Sequence, residues 1–138
     1  MANNFAMVPM NIVTVPQGWL VCFATDSDIS MGVGLPKLMN DTFHIEKKLN
    51  GDVYDVGTAQ IFDNVAALIV KESSYDRADE RYLRDALVEL RGKCEDAGFD
   101  RVAMPKLCTG NNGMKWGTVK KMIKEVFKGS DIFVMICK

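Results

Sequence analysis

Apolar residues in this chain fall into two kinds of stretch, and the two kinds alternate. Residues 19–24, 65–70, 101–104 and 131–137 are short, nearly continuous apolar runs. They are too short for lone helices and suit strands buried on both faces. Phe5–Val8 reads as a further strand, cut off by Pro9. Elsewhere the apolar positions take a helical period. Tyr82, Leu83, Ala86, Leu87 and Leu90 share one face of a predicted helix that stops near Gly98. Trp116, Val119, Ile123, Val126 and Phe127 share a face of another, with Lys120, Lys121, Lys124 and Lys128 outside and Gly129 as its stop. Residues 35–49 have mixed helical spacing, ending before Gly51.

The order of these elements sets the fold class. Buried strands alternating with helices predict an α/β sandwich. Residues 58–62 and 65–70 flank Asp63 and Asn64 as the two arms of a hairpin, which makes the central sheet mixed. No repeat, linker or low-complexity segment interrupts the 138 residues, and 48% of them are hydrophobic. That is enough for one sizeable core and short for two, so a single domain over residues 1–138 is expected.

Charge and cysteine usage narrow the function classes. A formal net charge of -1 disfavours a protein that neutralises long stretches of nucleic-acid backbone. Cys22, Cys94, Cys108 and Cys137 show no C-x-x-C spacing and have only His44 to join them, so neither a metal site nor a cofactor is expected. Cys22 and Cys137 lie in apolar runs, where a thiol acts as a small core hydrophobe, in keeping with a reducing cytoplasm. No basic leader or membrane-length apolar run occurs, and a soluble cytoplasmic protein is expected.

Chemistry concentrates at three strand ends. The run 19–24 leads through a polar loop to Gly32 and Gly34 at the start of a helix, where free amides and permissive φ angles make an anion cradle. The run 65–70 ends in Lys71, and the run 101–104 leads into a second glycine-bearing loop over 105–113. Two such loops with a lysine nearby suit a diphosphate. The G-x-G-x-x-G fingerprint lacks its third glycine and no P-loop motif occurs.

The segment 28–35 (Asp-Ile-Ser-Met-Gly-Val-Gly-Leu), with 102–110 (Val-Ala-Met-Pro-Lys-Leu-Cys-Thr-Gly) and Met114-Lys-Trp116, closely resembles the macro domain family. The resemblance runs from about Val8 to the C-terminus. It is nearest to the branch containing terminal ADP-ribose protein glycohydrolase, with ADP-ribose-1''-phosphate phosphatase as a more distant relative. It implies a three-layer α/β/α fold around a mixed sheet, with ADP-ribose or an ADP-ribosylated protein as partner. By this resemblance Met31, Gly32, Val33 and Gly34 form the first phosphate loop, and Thr25 and Asp26 lie near the distal ribose. Cys108, Thr109, Gly110, Asn111, Asn112 and Gly113 form the second loop. Lys71 falls on the lysine that attacks the anomeric carbon, a role open to a partly desolvated amine.

Three positions depart from the branch pattern. Asn11, in its own context a cap or turn residue, aligns with the aspartate that accepts from the adenine amino group. Cys137 replaces an aromatic residue available to the base. Asn112 stands at the catalytic aspartate; an amide can orient the ribose but supplies no general acid. Asn112-Gly113 is also a deamidation-prone pair. The chain therefore reads as a hydrolase of protein-linked ADP-ribose or of ADP-ribose-1''-phosphate, with a non-catalytic ADP-ribose-binding module as the alternative.

Overall fold

The computed structural model describes residues 4–110 and 112–138. Among them are strands β1 (Phe5–Val8), β2 (Leu20–Asp26), β3 (Ala59–Phe62), β4 (Val65–Lys71), β5 (Arg101–Met104) and β6 (Phe133–Cys137), and helices α1 (Gly34–Phe43), α2 (Glu80–Ala97) and α3 (Trp116–Phe127). The strands form one sheet in the order β1-β6-β5-β2-β4-β3. Neighbours are parallel except β3 and β4, which pair antiparallel as the predicted hairpin, so the sheet is mixed.

Continuous apolar runs become strands here because both faces of the sheet are covered. Leu20 and Cys22 of β2, with Ala66, Leu68 and Val70 of β4, point into one core cluster. Val21 and Phe23, with Val65, Ala67 and Ile69, alternate into another. The first cluster is closed by Leu83, Ala86, Leu87 and Leu90 of α2 and by Val119, Ile123, Val126 and Phe127 of α3. These are the periodic positions that the sequence marks. The second cluster is closed by Ile12, Met39 and Ile45, from a short 3-10 turn, α1 and a further 3-10 turn. Helices lie on both faces, giving three α/β/α layers.

One element differs from expectation. The helical spacing over 35–49 does not carry through: α1 ends at Phe43, and His44 turns left-handed at φ 55°. Asn40 causes the break, its Oδ1 accepting from Glu46 N at 2.8 Å and its Nδ2 donating to Glu46 Oε2 at 3.2 Å. The redirected chain buries Ile45 completely in a second, 3-10 turn, a position that an uninterrupted helix starting at Gly34 would rotate away from Met39. No helix among the described residues is long and apolar enough to cross a membrane.

Candidate functional site

Strands β5, β2 and β4 are adjacent and parallel, so the three loops picked out in the sequence leave the same edge of the sheet. The chain departs from β2 to α1 on one face, then crosses by α2 on the other face from β4 to β5. Strand order switches around β2, which is where crevices form in open α/β sheets. A register shift at the end of β2 brings Asp26 opposite Lys71, and Ser27 N donates to Lys71 O at 3.0 Å. The first loop therefore begins against the backbone of the lysine.

Within that loop the carboxylate of Asp26 is an internal scaffold. It is 2% exposed, and its Oδ1 accepts from Asp28 N at 3.0 Å, Ser30 N at 3.1 Å and Ser30 Oγ at 3.2 Å. Thr25 and Ser27 beside it are also buried. Ile29 is held at φ 49°, a strained conformation for a β-branched residue, by its own burial and by its N–H donating to Asp26 O. Met31, Gly32 and exposed Val33 lead into Gly34, whose φ of 65° strains any L side chain. Helix α1 starts with no side-chain cap and no acidic residue in its first turn, whereas α2 is capped by Asp79 and begins with Glu80. The start of α1 thus has no side chain of its own first turn to offset its N-terminal field.

The second loop closes on itself through Met114 N donating to Cys108 O, Gly113 N donating to Gly110 O, and Thr109 Oγ1 donating to Lys106 O at 2.7 Å. Trp116, on the apolar face predicted for this helix, is half-buried against the core, with Lys106 Nζ 5.8 Å from its ring centroid. Asn111, assigned to the site from sequence, lies outside the described residues. Asn112 links three segments: its Oδ1 accepts from Lys71 Nζ at 3.0 Å and from Ala78 N at 3.2 Å. Residues 41 positions apart in sequence thus meet as an amine–amide pair at the carboxyl end of β4.

Asn11 and Cys137 are brought toward the far end of the same edge, where Val8 of β1 pairs with Cys137 of β6. Asn11 is exposed, and its Oδ1 caps the following 3-10 turn through Val13 N at 3.1 Å. Four strand spacings separate β1 from β4, roughly 19 Å at ~4.8 Å each. The edge has the span for an extended ligand, with Asn11 at one end and Lys71 at the other.

Cys108 is buried at φ 61°, and burial pushes its thiol up to about 12, opposed in part by the charge of Lys71. At neutral pH it is protonated, which removes it as a nucleophile. A thiol ordinarily near 9 that ionises only near 12 when folded holds its proton over that window while the unfolded chain releases it. Stability from this group is full below pH 9 and is lost as pH rises toward 12. We expect the urea midpoint to fall over this range, and to fall less in Cys108→Ala than in the wild type; parallel slopes would refute the assignment.

Arg77 is not among the candidates that the sequence marks. It lies in the loop between β4 and α2, and its Nη1 is 3.1 Å from the point where a Cβ on Gly113 would sit. Only the folding of that loop onto Asn112 brings it there, and a solvated arginine in a polar loop carries no local signal.

No protein-family model matches the chain. Two curated relatives align over 97% of it and 91% of their own length: the ADP-ribose glycohydrolase OARD1 of Bos taurus at 22% identity and that of Homo sapiens at 25%. Among solved structures, the macrodomain of Thermus aquaticus DarG superposes with a TM-score of 0.85 at 18% identity, covering 97% of each chain. Thermosipho africanus DarTG in complex with ADP-ribose matches with a TM-score of 0.79 at 15% identity, over 99% of this chain and 42% of that one.

Proposed function

From the macrodomain fold of this chain we infer that it binds ADP-ribose along the carboxyl edge of its sheet and hydrolyses an ADP-ribose derivative at the anomeric carbon of the distal ribose. The observation that supports this most is the 3.0 Å contact between Lys71 Nζ and Asn112 Oδ1, flanked by the two glycine loops. The names of its relatives agree with it: ADP-ribose glycohydrolase for the curated proteins, and a complex with ADP-ribose for one structure. In this reading the uncapped start of α1 and the loop 105–113 hold the diphosphate, and Asn11 faces the base.

Chemistry then falls to Lys71. Its amine attacks C1'' of the distal ribose, forming a C–N bond as the C1''–O bond breaks. The oxygen departs with the electron pair as a carboxylate or phosphate, and the nitrogen releases a proton to solvent. Water subsequently displaces the lysine and frees ADP-ribose. Asn112 orients the amine through Oδ1 but has no proton to give. That absence favours a second reading, a module that binds ADP-ribose without turnover.

Titration calorimetry with ADP-ribose, followed by chromatography of mixtures with ADP-ribose-1''-phosphate and with a glutamate-linked ADP-ribosyl protein, separates the readings. Heat and released ADP-ribose are expected. Heat without product leaves the binding module, and no heat with any of the three removes both.

A further inference from the structure

The chain contains two Asn-Gly pairs, Asn50-Gly51 and Asn112-Gly113, and the fold treats them in opposite ways. The second pair is tied down: Asn112 Oδ1 accepts from Lys71 Nζ at 3.0 Å and from Ala78 N at 3.2 Å, and Gly113 N donates to Gly110 O at 3.0 Å. The first pair is exposed and lies outside every helix and strand. It falls between two fixed points, Leu49 N donating to Glu46 O at 3.3 Å and Tyr54 N donating to Ser27 O at 2.9 Å. Among the described residues, neither the Asn50 side chain nor Gly51 N has a hydrogen-bond partner. Nothing beyond its own chain neighbours lies within 4 Å of the Cβ position of Gly51, whereas Arg77 Nη1 lies 3.1 Å from that of Gly113.

We propose that Asn50 is a spontaneous modification site of this chain, deamidating through Gly51 well ahead of Asn112. It stands independently of the ADP-ribose reading. Gly51 N gives up its proton to a solvent base and attacks Asn50 Cγ. A bond forms between that carbon and the backbone nitrogen, and the bond to the side-chain nitrogen breaks, which leaves as ammonia after taking a proton from solvent. Water then adds to either carbonyl of the succinimide ring, the ring C–N bond breaks, and aspartate or isoaspartate stands at residue 50. One water is consumed and one ammonia released. Ring closure requires that the asparagine side chain swing onto the next nitrogen and that this nitrogen be free of an acceptor. Both conditions hold at residue 50, while at residue 112 hydrogen bonds must open first. The product adds a carboxylate to a strap that already carries Asp52 and Asp55, and isoaspartate adds a backbone carbon to the strap whose Tyr54 N–H braces the first loop at Ser27 O.

The test follows both pairs in one tube. The folded chain is held in mildly alkaline buffer and a parallel sample in urea, and both are sampled over time and digested with trypsin. Cleavage after Lys48 and Lys71 places Asn50 on the peptide 49–71, and cleavage after Lys106 and Lys115 places Asn112 on 107–115. Fragmentation in the mass spectrometer then assigns each one-dalton gain to its residue. In the folded chain residue 50 is expected to react at least about tenfold faster than residue 112, because the hydrogen bonds at residue 112 must open before the ring can close. In urea the two rates should come within about threefold of each other. Asn50→Ser removes the amide and keeps the glycine, so it should abolish the early gain and leave the rate at residue 112 unchanged. Equal rates in the folded chain, a faster rate at residue 112, or a residue 50 that reacts only in urea would overturn the proposal. So would a preference for residue 50 that persists undiminished in urea, since it would then come from neighbouring residues and not from the fold.

Discussion

Replacing Lys71 with alanine is expected to reduce release of ADP-ribose by on the order of 10³-fold or more while leaving ADP-ribose binding within about tenfold of the wild type. The separation follows from how the site is held together. Asn112 Oδ1 loses the hydrogen bond from Lys71 Nζ but keeps the one from Ala78 N, so the second loop stays tethered to the segment before α2. The first loop is tied to Lys71 through its backbone carbonyl, which accepts from Ser27 N, and alanine retains that group. Neither the start of α1 nor Asp26's hydrogen bonds involve the lysine side chain. The amine is therefore dispensable for the cradle, while the proposed mechanism requires it for attack. Chromatography of ADP-ribose release, paired with calorimetry on the same preparation, checks both halves. Unchanged turnover in Lys71→Ala would exclude the lysine as nucleophile.

Asn112→Asp should act in the opposite direction, raising turnover by about 10²- to 10⁴-fold, the usual contribution of a positioned acid or base. Aspartate is nearly isosteric with asparagine, and its oxygen can accept from the same two donors, Lys71 Nζ and Ala78 N. Geometry is preserved, and a group able to carry a proton is added next to the amine. The same substitution can arise in the native chain. Asn112 precedes a glycine, whose backbone nitrogen meets little hindrance in attacking the side-chain amide; loss of ammonia and hydrolysis then give aspartate or its iso form. Here Gly113 N donates to Gly110 O at 3.0 Å, which restrains that nitrogen and should slow the reaction. Activity that grows on storage should therefore track a one-dalton gain mapped to the peptide containing residue 112. A rate in Asn112→Asp no higher than in the wild type would show that the missing acid is not what limits turnover.

Much of the fold was legible because both of its periods are local. A strand buried on two faces must be apolar at every position, as 65–70 is. A helix on one face of a sheet must be apolar every three or four residues, as Leu83, Leu87 and Leu90 are. The end of α1 escaped this logic, since the stop at Phe43 depends on the Asn40 side chain bonding to Glu46, an interaction the helical spacing over 35–49 does not reveal. Glycines marked both loops of the candidate site for a similarly local reason, φ angles of 65° at Gly34 and 73° at Gly113.

The roles of polar side chains within those loops were less accessible. Asp26 could be placed at the end of its strand from sequence, but not the use of its Oδ1 in shaping the loop through Asp28 and Ser30. Arg77 offered nothing to read. By itself the sequence determined the strands, the main helices, the mixed character of the sheet and the two glycine loops, because hydrophobic period and permissive backbone are written in consecutive residues. Only the tertiary structure decided that Lys71 bonds Asn112 and that Arg77 closes over Gly113. Those contacts join segments that are distant along the chain and meet only after the crossover through α2 lays β4 and β5 on either side of β2.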